Sequence, residues 1–207
     1  MKKFIGIGAL LLLLSACAPG FGTGESWARA IFAPSNSTIK SACNAKMDLA
    51  GKSDFETSVG HIVLSSNGHS IRFVSSPAQA AIFCGILGGL VANGNRDSFF
   101  NTSFYESYRD NAHAFVVVNS DDVDIKTASL SINLEDETGA SLAVVKAPDV
   151  EGVLPGARFD FDHASFAREP QLDKVASFTI LVNRGNSSES YKVTQQMYSA
   201  LTQTKDK

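Results

Sequence analysis

Thr127-Ala128-Ser129-Leu130-Ser131-Ile132-Asn133-Leu134 decides the fold class. Ala128, Leu130, Ile132 and Leu134 fall on one face and Ser129, Ser131 and Asn133 on the other, the period of a half-buried strand. Downstream, Glu137-Thr138-Gly139 reads as a turn into Leu142 to Val145, and Leu154-Pro155-Gly156 as a turn into Arg158-Phe159-Asp160-Phe161-Asp162. Ser177 to Asn183 alternates again through Phe178, Ile180 and Val182, and Tyr191 to Met197 is read as a last strand. Upstream, Ala114 to Asn119 is a short apolar run with buried-strand character. Strands at this spacing, with Gly and Pro turns and no helical runs between them, predict an antiparallel β-sandwich over residues 111–207.

Ahead of it, residues 26–110 mix helix and strand signals, either as a separate unit or as part of the same domain. Ile39, Ala42, Cys43, Met47 and Ala50 recur at helical spacing between Ser35 and Gly51, where a C-cap would sit. Ile62-Val63-Leu64 and Ile71-Arg72-Phe73-Val74 flank Asn67-Gly68, a strong signal for a hairpin with a type I′ turn. Ser76-Pro77-Ala78-Gln79 then predicts a helix start with Ser76 as N-cap and Pro77 at the first helical position. That helix should run to Gly94. The whole is a mainly β chain with some α, one or two helices and a hairpin preceding the sandwich.

The first twenty residues, MKKFIGIGALLLLLSACAPG, carry two lysines and an apolar run from Phe4 to Leu14, then Leu14-Ser15-Ala16-Cys17. The run is too short for a membrane-spanning helix and has the layout of an export signal over residues 1–16. Leu14-Ser15-Ala16-Cys17 resembles a bacterial lipobox. The resemblance implies that the Cys17 thiol receives a diacylglycerol, that the chain is cut before Cys17, and that the new amino group is acylated in turn. Ala18 in place of the inner-membrane retention aspartate implies sorting to the outer membrane of a Gram-negative envelope. Residues 17–25, rich in glycine, would form a lipidated tether. In an oxidising compartment the two remaining cysteines, Cys43 and Cys84, are expected to pair; two buried free thiols are the alternative.

The stretch SLSINLEDETGASLAVVKAPDVEGVLPGARFDF, a strand, an Asp/Gly turn, a strand, then Leu-Pro-Gly into a strand, resembles the Ig-like modules of bacterial envelope proteins, FxLYD domains among them. The resemblance covers about residues 113–198, rests on turn chemistry, and brings no catalytic residues. It implies an interaction or accessory module.

Removal of residues 1–16 takes Lys2 and Lys3 and no acid, moving the formal charge from -3 to -5. That balance argues against a nucleic-acid partner and against electrostatic adhesion to anionic lipid. No nucleophile elbow, zinc-protease helix, phosphate loop or dinucleotide glycine pattern occurs in the sequence. Asp160, Asp162 and His163 are the best metal-binding pattern, and they define a metal-assisted hydrolase as the enzyme alternative. Solvent-facing aspartates opposite Phe159 and Phe161 account for the same pattern, and a solvated turn accounts for Asp121-Asp122-Val123-Asp124. No cofactor, catalytic residue or metal ligand is therefore assigned.

Ser98 to Tyr108, SFFNTSFYESY, is the one segment with the composition of a binding surface. Core packing is the first explanation of such a cluster; the competing one, which its Asn and Ser content suggests, is a surface loop in which Phe99, Phe104, Tyr105 and Tyr108 contact an envelope protein or glycan, with Tyr105 and Tyr108 the exposed pair. The expected function is that of a lipid-anchored, non-catalytic binding or structural module, held to the membrane through Cys17. A third class, part of an outer-membrane secretion or assembly complex, would have residues 78–92 leave the core.

Overall fold

The computed structural model describes residues 25–47, 61–66, 69–91, 96–119, 127–148, 150–151, 157–184 and 187–203. The lipobox and Cys17, Gly51, Asn67-Gly68, Gly94, the Asp121 to Asp124 cluster and Leu154-Pro155-Gly156 lie outside them.

Two antiparallel sheets form the centre of the molecule. The first joins β1 (His61–Ser66), β2 (His69–Val74), β3 (Ala114–Asn119) and β7 (Ala157–Phe161), in the order β1-β2-β3-β7. The second joins β5 (Ser141–Lys146), β4 (Thr127–Glu135), β8 (Ser177–Arg184) and β9 (Ser187–Thr194), in the order β5-β4-β8-β9. The two-residue β6 (Val150–Glu151) pairs with β4 at Thr127 and Ala128. Alternation dictates the buried faces. Leu130, Ile132 and Leu134 of β4 lie opposite Val182, Ile180 and Phe178 of β8. Ile71 and Phe73 of β2 lie opposite Val118 and Val116 of β3. All ten are buried in one continuous core.

The expected sandwich class is what forms. Its connectivity differs from that of an immunoglobulin domain, whose sheets run A-B-E-D and C-F-G. Nor does the sandwich begin at residue 111, because the β1–β2 hairpin is half of the first sheet and joins β3 directly. Ser66 stands opposite His69 in that hairpin, so the register is that of a two-residue connection.

Helix α1 (Trp27–Phe32), which the sequence reading did not assign, enters the same core. The Ser26 hydroxyl accepts from the Arg29 amide at 3.3 Å to cap it. Phe32 lies 5.9 Å from Phe73 of the first sheet, 5.0 Å from Phe178 of the second, and 4.4 Å from Phe166 of α6 (His163–Ala167). Trp27 stacks on Phe178 and donates its indole N–H to the Val175 carbonyl at 2.7 Å. Outside, Arg29 clamps both carboxylate oxygens of Asp173, at 3.1 and 3.2 Å.

Two strand assignments need correction. The segment read as a last strand over Tyr191 to Met197 is strand only to Thr194, after which α7 (Gln195–Gln203) begins, the Thr194 hydroxyl accepting from the Met197 amide at 3.2 Å. The connection between β7 and β8, expected to carry no helix, holds α6 and a 3-10 turn over Leu172–Lys174.

A second layer covers the outer face of the first sheet. It is built from α2 (Asn36–Met47), α3 (Ser76–Val91), α4 (Arg96–Phe100) and α5 (Ser103–Asp110), with its own core of Ile39, Cys43, Met47, Ala80, Cys84, Phe99, Phe100, Tyr105 and Ala112. Cys43 of α2 and Cys84 of α3 form the expected disulfide, Cα atoms 5.2 Å apart. Val74 and Phe115 of the sheet meet Ala78 and Ile82 of α3. The cap of α3 is Ser75, not Ser76: its hydroxyl accepts from the Ala78 amide at 3.4 Å and from the Tyr198 hydroxyl at 3.0 Å. Pro77 consequently occupies the second helical position. The Gln79 side chain accepts from the His113 amide at 2.6 Å and ties the layer to the start of β3.

Candidate functional site

The aromatic segment is not a loop. Asn101 and Thr102 break it into α4 and α5, and the Thr102 hydroxyl accepts from the Tyr105 amide at 3.1 Å to start the second helix. Polar residues that suggested a loop are therefore helix caps and an exposed helix face. The predicted roles within the segment also change. Phe99, Phe100 and Tyr105 are buried, their rings meeting at 4.9 to 5.6 Å, mostly edge to face or tilted. Tyr105, expected to be exposed, is 4% accessible, because the cap sets α5 with that position turned toward α2 and α3. Tyr108 is half-buried, and Phe104 is the exposed ring at 55%.

Phe104 and Tyr108 share a face of α5, four residues apart, and that face meets Phe83 of α3. Phe83 stacks on Tyr108 with ring centroids 3.3 Å apart and lies 5.3 Å from Phe104. The Tyr108 hydroxyl donates to the Gln79 carbonyl at 3.0 Å, and burial pushes its pKa up to about 12 although the Arg158 charge acts against the rise. One turn along α3, Ile86 is 57% exposed, with half-buried Leu87 beside it. Sequence reasoning missed Phe83 and Ile86, since an apolar helix carries no label for which of its faces is left uncovered. The surface is apolar and has a rigid base: the disulfide fixes α3 beneath it, and the Lys40 ammonium sits 4.9 Å from the centre of the Phe100 ring.

The Asp160, Asp162 and His163 pattern does not come together as a site. Asp160, on the outer face of β7, is engaged by Arg158 through its guanidinium, whose carbon lies 3.9 Å from the Phe115 ring centre. Asp162 is past the strand end, where it caps α6 by accepting from the Ala164 amide at 2.9 Å. The His163 amide donates to Nδ1 of His113 at 3.4 Å, and burial followed by the proximity of His113 lowers the His163 pKa. Among the described residues no group of three or more His, Cys, Asp or Glu is placed to hold a metal ion.

An open groove of about 730 Å³ between the base of α1 and the β4–β5 turn is lined by Glu25, Asp136, Glu137 and Asp173, among others. Three of those carboxylates serve the fold. Asp136 accepts from Thr138 and the Ala140 amide to close the turn in which Gly139 adopts φ +82°, Asp173 holds Arg29 and Ser26, and Glu25 accepts from the Ser35 amide at 2.7 Å.

These features define a helix-covered antiparallel sandwich with exposed apolar side chains, Ile86 and Phe104, on its disulfide-clamped layer. No family model, curated protein or solved structure matches the chain.

Proposed function

We propose that the protein is a cell-envelope lipoprotein, anchored through acylated Cys17 and sorted to the outer membrane, that works as a non-catalytic binding module through the α3–α5 surface. The observation that carries this reading is the exposure of Phe104 and Ile86 on a layer held rigid by Cys43–Cys84. Large apolar side chains on a fixed base suit contact with an envelope component. Around the stacked Phe83 and Tyr108 rings the Tyr108 hydroxyl donates to the Gln79 carbonyl, which fixes the ring in place. Support for the anchor comes from the leader and Leu14-Ser15-Ala16-Cys17.

The test is expression in a Gram-negative bacterium with labelled palmitate. Wild-type protein should take up label and fractionate with the outer membrane, and Cys17→Ser should take up none. Absence of label in the wild type would remove the anchor.

A further inference from the structure

We infer that the occupant of the α3–α5 surface is the lipid bilayer itself, so that the protein lies on the membrane by this face. The inference rests on the anchored reading and names the partner of the same surface.

Three observations point to lipid. First, α3 from Ser76 to Val91 contains no charged residue, yet Ile86 is 57% exposed near its middle. A helix apolar on all sides is ordinarily covered on all sides, by protein or by hydrocarbon. Second, α3 cannot leave the fold to be covered elsewhere. Cys84 is bonded to Cys43, and Ala80, Ala81 and Cys84 are buried. With 16 residues it is also too short to cross a bilayer, and among the described residues no helix is long and apolar enough to do so. It lies along the interface, with Ile86 and Phe104 as the inserted side chains. Third, the anchor delivers this layer to the membrane. Glu25, the first described residue, accepts from the Ser35 amide ahead of α2 and from the Thr38 hydroxyl inside it. Glu25 thus stands where α2 begins, at the junction of the helical layer with the groove below α1. From Cys17 to Glu25 the chain spans at most about 29 Å, less than the diameter of roughly 40 Å of a domain this size. An acylated Cys17 thus keeps Glu25, and the start of α2 beside it, within about 29 Å of the lipid surface.

Lipid recognition here is apolar. A formal charge of -5 after cleavage gives no attraction to anionic headgroups, so the contact should be insensitive to salt and form on zwitterionic lipid.

The test uses the acylated full-length protein in phosphatidylcholine vesicles, with Phe104→Trp as reporter. Trp27, the only native tryptophan, is buried against Phe178 and serves as a constant background. Emission from the introduced indole should be quenched by lipid brominated on its acyl chains and protected from aqueous iodide, unchanged at high salt. Adding Ile86→Asp should abolish the lipid quenching while leaving palmitate label and thermal midpoint as they were. Label with an indole open to iodide, or with an indole shielded from both quenchers as in a dimer or protein complex, would overturn the bilayer as occupant and leave the anchor standing. Absence of label would overturn the anchored reading and this inference with it.

Discussion

Glu135 shows how one residue ties strands together and makes the molecule sensitive to acid. It is 7% exposed at the end of β4, and four side chains from β4, β8 and β9 donate to it: Asn133 at 3.2 Å, Thr179 at 2.8 Å, Ser177 at 3.0 Å and Lys192 at 2.7 Å. Burial acts to raise its pKa, but the hydrogen bonds from Lys192, Thr179 and Ser177 outweigh burial and hold the carboxyl below the usual range. A carboxyl with a depressed folded pKa stabilises above its unfolded value, and that stability is lost as pH falls through the folded one. His163, lowered chiefly by burial, acts in the same direction: its folded state resists protonation, so stability falls as pH drops below about 6.5. Glu135→Gln should therefore cost about 1 to 3 kcal/mol at pH 7 and flatten the decline between about pH 5 and 3, as read from urea midpoints at several pH values. Parallel curves for the two proteins would assign the acid sensitivity elsewhere. Tyr105 makes a contrasting case. Its hydroxyl is buried and finds no hydrogen-bond partner among the described residues, while burial raises its pKa. Tyr105→Phe should leave the thermal midpoint unchanged or raise it, whereas Tyr105→Ala should cost about 3 to 5 kcal/mol.

At the scale of elements, α4 and α5 separate packing from display within eleven residues. Phe104→Ala removes a ring that is mostly in water and should change stability by no more than about 0.5 kcal/mol, against the large cost at Tyr105 one position away. Thermal melts of the two variants side by side check the assignment; equal losses would mean that Phe104 is part of the core. The same elements show what a sequence can reveal. Period two was decisive in β4 and β8, since Leu130, Ile132 and Leu134 can only be buried together on one face of a strand. Helix caps were legible to within a residue: Ser75 and Ser76 are equally good caps by type, and the Tyr198 hydroxyl, 123 positions away, meets the first of them. Helix α1 was not legible, because six residues are too few for a period to emerge, although Ser26 before it and Pro34 after it are boundary signals. At β9 the alternation of Tyr191 and Val193 hid the switch at Thr194, which both ends the strand and caps α7. Of the candidate surface, the aromatic content of the segment was visible and the direction of each ring was not. That depends on Thr102 as a cap and on Phe83, which lies 25 positions before Tyr108 and stacks on it only after α3 and α5 are folded.

For the whole molecule, the question is whether the helical layer and the sandwich unfold together. Their apolar interiors are distinct: the disulfide and the α2–α5 side chains form one cluster, while α1, both sheets, Phe166 and Tyr198 form another. Between them run the contacts of Val74 and Phe115 with α3, the Gln79–His113 hydrogen bond, and the cap of α3 held by Tyr198. The disulfide closes a separation of 41 residues, which on the chain-entropy model stabilises by about 4 kcal/mol. For a domain of this size a loss of that magnitude lowers the thermal midpoint by roughly 8 to 16 °C. The reduced chain retains the whole sandwich core, because neither Cys43 nor Cys84 belongs to it. Reduction should therefore act unevenly. Amide hydrogen exchange of the reduced protein should quicken first along α2, α4 and α5, while β2, β4 and β8 keep their protection until the sandwich itself melts. Simultaneous loss of protection in the helices and in the sheets would show instead that the two layers form one cooperative unit, with the α3–sheet contact as strong as either core.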